Sequence, residues 1–357
     1  MLKINYITML NYRPLNNDPF KCKKAAMQTV TIDDIQDAQN RISPYINQTP
    51  ILESSLLNEW LGHRILFKAE CLQKVGAFKV RGALNMLLKA KEEGILANNI
   101  VASSSGNHAQ AVAYAAKLLG VKATVYSGQN ISSVKAAATR FYGAELILSP
   151  TRKEADERVK QAAAQPDTLW VPPFNHADII AGQGTVAADS FAQTGPVDGI
   201  FAPVGGGGLI AGTYIYTKAK YPECAVIGVE PLLGNDAAQS VRLGKIQSLA
   251  DSPQTLADGA ATLAVGNLTF PFLQQLDGIT EVDEQSIAYW TQWLQHLLKI
   301  HVEPTCAMSM HGVCRWLANK PNKQTVVVIL SGGNIDHIKM QQIWHRNHLE
   351  ERPSVLL

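Results

Sequence analysis

Residues 199–212, GIFAPVGGGGLIAG, run from an apolar strand pattern into four consecutive glycines, Gly205 to Gly208, and then into a helical pattern. An apolar run closed by such a turn is how a strand of an open α/β sheet hands over to the helix that covers it. Glycines let backbone amides converge on one anion, and the helix N-terminus adds its positive dipole end. The turn is therefore a phosphate cradle that needs no lysine. Its spacing is neither the GxxxxGK[ST] of a P-loop nor GxGxxG with an acidic residue on the next strand. The plainer reading, a flexible turn, is disfavoured by four glycines set between two periodic elements.

The same alternation extends outward in both directions. Apolar runs begin at ILFKAE (65), IVASSS (100), VKATVY (121), AELILS (144), LWVPP (169), AVIGVEP (225) and TVVVILS (325). Amphipathic stretches lie between them. Two of these, AFKVRGALNMLLKAKEEG and NHAQAVAYAAKLLG, are each stopped by a glycine, as C-terminal capping favours. The pattern predicts α/β architecture with parallel-rich sheets flanked by helices, and 357 residues exceed the usual size of one domain.

Composition narrows the partners. With 46% hydrophobic and 17% charged residues, and 32 basic against 30 acidic side chains interspersed along the chain, neither nucleic acid nor a membrane is an expected partner. No apolar run reaches the roughly 18 to 20 residues of a membrane helix. The five cysteines lack any CxxC pair and read as reduced thiols of a cytoplasmic protein. Residues 1–27 show neither helical nor strand periodicity and read as a disordered extension or a start assigned too early.

Three further segments carry candidate chemistry. In VGAFKVRGALNML (75–87), Lys79 opens a helix behind small and aromatic residues; by itself such a lysine is usually solvated. In VASSSGNHAQAVAYAA (101–116), a strand-to-helix turn offers the Ser103 to Ser105 hydroxyls, Asn107 and free amides to a carboxylate, or is an ordinary cap. In TVVVILSGGNID (325–336), a buried strand ends at Ser331, where open α/β sheets place their ligands, or in a simple turn.

Taken together, FKVRGA, SSGNHAQ, PFNHADIIAGQGT, GGGGLIAG, GVEPLLGND, TLADGA, VEPT and LSGGN follow one another in an order that resembles the fold type II pyridoxal-phosphate enzymes. More narrowly, they resemble the threonine and serine dehydratase and serine racemase group, which includes threo-3-hydroxyaspartate dehydratase. The resemblance covers Thr29 to the C-terminus. It implies a two-lobed, tryptophan synthase β-like fold: residues 28–98 and 178–357 form a large cofactor domain, and 99–177 a small mobile one. Pyridoxal 5'-phosphate is the implied cofactor. Lys79 then carries it as a Schiff base and acts as general base, Phe78 flanks the ring, Asn107 meets the phenolic oxygen, Gly205 to Gly208 hold the phosphate, and Ser331 meets the pyridine nitrogen. Ser rather than Asp at that nitrogen favours expelling a β-leaving group over transamination.

The same resemblance places Ser104, Ser105 and His108 at the substrate. Ser105 is either a second acid–base group on the face opposite Lys79, as in serine racemases, or only a carboxylate ligand. Glu230, the Gly234 carbonyl and Asp236 match a divalent-cation site whose hard oxygen ligands suit Mg or Ca. The competing reading is a helix cap at Asn235 or Asp236. Cys306 reads as a space-filling thiol, and His176 and His301 show no metal spacing. The arginine that binds the substrate carboxylate in serine racemase has no clean counterpart in SPTRKEADERVK, where Arg152 and Arg158 are displaced candidates. No C-terminal regulatory domain is expected.

The implied activity is dehydration of L-threonine or L-serine, releasing a 2-oxo acid and ammonia. Its near rivals are threo-3-hydroxyaspartate ammonia-lyase and serine or aspartate racemase; a non-catalytic cofactor- or amino-acid-binding protein stands further off. A small amino-acid substrate and a homodimer complete the expectation.

Overall fold

The computed structural model describes residues 30–355, so the expectation for residues 1–27 falls outside the described residues. Ten strands follow in chain order: β1 (Ile51–Glu53), β2 (Arg64–Lys68), β3 (Asn99–Ser103), β4 (Lys122–Gly128), β5 (Glu145–Ser149), β6 (Thr168–Trp170), β7 (Gly199–Pro203), β8 (Ala225–Pro231), β9 (Gly278–Val282) and β10 (Thr325–Ile329). Every apolar run named above supplies one of them. Two strands gave no such run. β1 is three residues long at a sheet edge, and β9, GITEV, is half-buried with polar residues inside it, so neither presents the apolar stretch of a strand covered on both faces.

The strands form two sheets. The larger has the order β1-β2-β10-β7-β8-β9, with only β1 antiparallel to its neighbour. The smaller, β5-β4-β3-β6, is parallel throughout. All strands of the smaller sheet lie between residues 99 and 170, and the chain crosses between sheets along the helices Lys79–Glu92 and Ala177–Thr194. Burial of β7 along its whole length and of Val326 to Ile329 in β10 marks the centre of the large core. Among the described residues no helix is long and apolar enough to cross a membrane.

Close helix packing sets where the functional loops sit. A Cβ on Gly182 would lie 2.7 Å from the Arg81 carbonyl oxygen, and one on Gly212 would lie 2.5 Å from the Gly184 nitrogen. Three helices, Lys79–Glu92, Ala177–Thr194 and Gly208–Lys220, therefore cross almost backbone to backbone. A buried ion cluster locks the first of them. Arg81 bonds both oxygens of Glu70 at 2.7 and 2.8 Å and Asp189 at 2.8 Å, with Arg81 and Glu70 fully buried. Removing one partner of such a pair leaves a buried charge uncompensated, at a cost of roughly 3–5 kcal/mol. Two residues before Arg81 is Lys79.

Candidate active site

The carboxyl ends of β3, β6, β7 and β10 converge on one cavity between the two sheets, the usual ligand position of open α/β folds. Lys79, the first residue of its helix, lines this cavity. Its Nζ donates to the Pro173 carbonyl at 2.6 Å and lies 5.2 Å from the centre of the Phe78 ring. Desolvation, aided by the charge of Arg152, brings its pKa down to about 8. Phe78 donates its backbone N–H to the Ser331 carbonyl at 3.0 Å, which ties the start of the helix to the end of β10.

The glycine turn faces Lys79 across the cavity. Gly207 has φ +91°, a conformation side chains rarely adopt, and a Cβ on Gly206 would meet the Phe174 ring at 2.2 Å. The Gly206 carbonyl is taken up by the Thr269 hydroxyl at 2.7 Å and the Gly266 amide at 3.1 Å. No backbone carbonyl among the described residues takes the amides of Gly205, Gly206 or Gly207. These donors stand at the N-terminus of the helix Gly208–Lys220 and line the cavity.

The serine turn closes the site from the smaller sheet. Ser104 accepts the Gly106 amide at 3.2 Å, and Ser103 donates to Asp156 at 2.5 Å. Ser105 is exposed at the cavity, and its hydroxyl has no partner among the described residues. His108 is buried, with Nε2 bonded to the Val171 carbonyl at 2.8 Å and Nδ1 unpartnered among the described residues; desolvation, then Lys79, lowers its pKa to about 3, so the ring is neutral. Asn107 Nδ2 donates to Glu303, and its Oδ1 accepts from Asn334.

Glu303, Lys135, Asp258 and Phe174 line the same cavity and were not among the residues singled out in the sequence. Burial raises the Glu303 pKa to about 7, against the pull of Lys135. Lys135, from the helix Ser133–Phe141, pairs with Asp258 at 2.8 Å across the two sheets. The segments PFNH, TLADGA and VEPT contain Phe174, Asp258 and Glu303, but their local pattern does not say which side chain turns inward. Glu303 looks like a plain acidic cap before Pro304.

Of the two displaced arginines only Arg152 reaches the cavity; Arg158 bonds Ser149 at 3.2 Å and lies over the Tyr126 ring. Cys306 is fully buried.

A pyridoxal-phosphate dependent enzyme family matches residues 42–332. The chain belongs to this family. Its relatives include the L-threo-3-hydroxyaspartate ammonia-lyase of Saccharomyces cerevisiae, 42% identical over 308 residues that cover 86% of this chain and 94% of that one. The serine racemase of Schizosaccharomyces pombe is 39% identical, with coverage of 86% and 94%. Among solved structures, a threonine deaminase from T.th. aligns with a TM-score of 0.80 at 41% identity, covering 86% of this chain and 99% of that one.

As a member of this pyridoxal-phosphate family the protein uses pyridoxal 5'-phosphate, and the cavity fits it. A lysine amine with a lowered pKa, an adjacent aromatic ring, and unpaired amides at a helix N-terminus are what an aldehyde-bearing aromatic phosphate requires. Lys79, Phe78, Asn107, Gly205 to Gly208 and Ser331 all border this one space. Glu230 and Asp236 lie elsewhere, at the end of β8. Glu230 accepts the Ala238 and Ala237 amides at 2.6 and 3.2 Å, and Asp236 Oδ2 is buried without a partner among the described residues. Desolvation pushes Glu230 up to about 8 and Asp236 up to about 7. Asn235 stands at the N-cap position but its side chain makes no capping bond, going instead to Glu281 at 2.5 Å. Gly234 is buried beside them. Among the described residues no group of three or more His, Cys, Asp or Glu side chains is arranged as a metal site.

Proposed function

We propose that this protein is an ammonia-lyase that eliminates the β-hydroxyl of a small hydroxy-amino acid and releases a 2-oxo acid and ammonia. The observation that carries the reading is Lys79 itself: a lysine brought down to about 8 in the cavity that also holds the glycine cradle. Pyridoxal phosphate, when bound, supplies the electron sink for the pair left at the substrate's α-carbon. The chain supplies the rest. Lys79 holds the cofactor and, once its amine is free, takes the α-proton, a task suited to a base poised near neutral pH. Gly205 to Gly208 bind the phosphate, Phe78 flanks the ring, Asn107 donates to the phenolic oxygen and Ser331 meets the ring nitrogen. Ser104, Ser105 and His108 receive the substrate carboxylate and hydroxyl. Lys135 and Asp258 hold the lobe formed by 99–177 against the rest and exclude water. A divalent cation at Glu230, the Gly234 carbonyl and Asp236 neutralises two buried carboxylates and stabilises the large lobe.

L-Threonine and L-serine are the first substrates to try, followed by 3-hydroxyaspartate, which the name of the Saccharomyces cerevisiae relative supports. Incubating purified holoenzyme with L-serine, D-serine, L-threonine and both 3-hydroxyaspartate diastereomers, with keto acid and ammonia as readouts, tests the reading. Release of ammonia from none of them would sink it.

The unpartnered, exposed Ser105 hydroxyl favours a second reading, in which racemisation of serine or aspartate accompanies elimination. Lys79 handles a proton only on the face it occupies, so the opposite face needs another group. Ser105→Ala should then abolish racemisation and D-serine turnover while elimination of the L-substrate falls by no more than about tenfold, roughly 1.4 kcal/mol. A wild-type enzyme that neither racemises nor uses D-serine leaves Ser105 as a carboxylate ligand. Assembly as a homodimer and a cytoplasmic location belong to the same reading, the latter supported by Cys71, Cys224, Cys306 and Cys314, all buried and unbridged.

A further inference from the structure

Three consecutive serines line the cavity, and their protons are not equally free. Ser103 ends β3, Ser104 and Ser105 follow in the turn, and all three border both the cavity at Lys79 and the adjoining groove. Ser104 Oγ accepts the Gly106 amide at 3.2 Å, which leaves its own proton to give. The Ser105 hydroxyl has no partner among the described residues. Ser103 differs, because its Oγ donates to Asp156 Oδ1 at 2.5 Å.

A hydroxyl carries one proton and two lone pairs, and an ionised carboxylate only accepts. With its proton committed to Asp156, Ser103 offers the cavity lone pairs alone. It cannot donate to a substrate carboxylate, the duty its two neighbours suit. Asp156 stands 53 positions away in the chain. It belongs to the helix Arg152–Ala163, whose buried residues Ala155 and Val159 seat that helix against the smaller sheet. The plain reading is a clasp that ties β3 to this helix. A clasp needs no opening to the cavity, however, and Ser103 is only half-buried at the cavity wall. The bond to a carboxylate also polarises the hydroxyl, so its oxygen is a stronger acceptor than that of a free serine.

We infer that Ser103 is a specificity-determining residue that accepts a hydrogen bond from the substrate's 3-hydroxyl, and that Asp156 is the positioning residue that makes it an acceptor. The inference rests on the lyase reading for its substrate. Of that substrate's donors the α-amino group goes to the cofactor at Lys79, so the 3-hydroxyl is the one left. Ser103 holds this hydroxyl by its proton and takes no part in breaking the C–O bond, whose oxygen stays open to the donors of Ser104 and Ser105. An amino acid with hydrogen in place of the hydroxyl leaves the Ser103 lone pairs unmet, which is how a polar pocket rejects an analogue.

Two measurements test it. First, KM for L-serine and the inhibition constant of L-alanine are compared in wild type, Ser103→Ala, Asp156→Ala and the double variant, each with full cofactor content. Ser103→Ala should raise KM at least about tenfold, the scale of one charge-assisted hydrogen bond, while kcat changes less and the L-alanine constant stays within about twofold. Asp156→Ala should raise KM by less, about threefold, since the freed hydroxyl can still turn to accept, and the double variant should be no worse than Ser103→Ala because Asp156 acts through it. Equal rises for L-serine and L-alanine, or an additive double variant, overturn the inference and leave the pair a clasp. Second, 3-hydroxypropionate and propionate, which are serine and alanine without the amino group, are titrated into the holoenzyme by calorimetry, which needs no turnover. Wild type should bind the hydroxy acid at least about fivefold more tightly, and Ser103→Ala should not distinguish the two. Ammonia release from L-serine without preference for the hydroxy acid would remove the Ser103 role and keep the lyase. A preference lost in Ser103→Ala, with no ammonia from any substrate, would keep the hydroxyl site and remove the reaction.

Discussion

Asn107 and Glu303 meet across 196 positions of chain as one hydrogen-bonded unit, the Asn107 Nδ2 donating to both carboxylate oxygens at 2.9 and 3.1 Å. Asn334 completes it, donating from Nδ2 to Asn107 Oδ1 at 2.8 Å and from its backbone N–H to Glu303 at 2.8 Å. The Asn107 amide is thereby held in one orientation at the wall of the cavity.

Glu303→Gln keeps the shape but turns an acceptor toward these donors into a competing NH2 group. Titrating apo-protein with pyridoxal phosphate and following absorbance should show affinity reduced by roughly tenfold, about 1.4 kcal/mol. An affinity within twofold of wild type would mean that Asn334 orients Asn107 unaided.

Glu303 also makes stability depend on pH. Burial raises its pKa from the usual 4.5 to about 7, so between these values the folded protein binds the proton that the unfolded chain has lost. Stability therefore falls as pH rises through this window, by up to roughly 3 kcal/mol in total, and the loss is complete above it. Urea unfolding of apo-protein at pH 4.5 to 7.5 measures this, and Glu303→Gln should flatten the slope.

The Lys79 amine must be neutral to capture an aldehyde. With its pKa brought down to about 8, the rate at which apo-protein takes up pyridoxal phosphate should climb about tenfold per pH unit below 8 and level above it. Stopped-flow absorbance measures the rate, and borohydride reduction with peptide mapping places the label. A rate still climbing at pH 10, or a label on another lysine, would contradict the assignment.

Gly206 has no room for a side chain, since a Cβ there lies 2.2 Å from the Phe174 ring. Gly206→Val should weaken cofactor retention on dialysis by at least about tenfold, because the turn must shift to relieve the overlap. Gly206→Ala combined with Phe174→Ala should retain more cofactor than Gly206→Ala by itself.

Chelation tests the Glu230 and Asp236 pair. If a cation is bound at about a hundred times its Kd, its removal costs about 2.7 kcal/mol, and Mg or Ca should restore the lost thermal stability. Asp236→Asn should respond to neither treatment; a full response in that variant would place the cation elsewhere.

Much of this was legible along the chain because it is local. Apolar runs mark strands buried on both faces, Gly94 and Gly120 end helices at positive φ, and Gly205 to Gly208 mark the turn from β7 into the helix Gly208–Lys220. The order of FKVRGA, SSGNHAQ, GGGGLIAG and LSGGN was enough to name the family and the cofactor. Edge strands β1 and β9 were missed because an edge needs no apolar run. Only the folded chain decided which side chains share the site. Glu303 bonds Asn107, Lys135 finds Asp258 123 positions away, Phe174 covers Gly206, and Arg152 rather than Arg158 reaches the cavity. Periodicity says which face of a helix or strand is apolar, but the neighbour across a cleft between two sheets depends on how those sheets pack. The lowered pKa of Lys79 and the raised one of Glu303 follow from that same packing, because desolvation is a property of the assembled cavity and of no single segment.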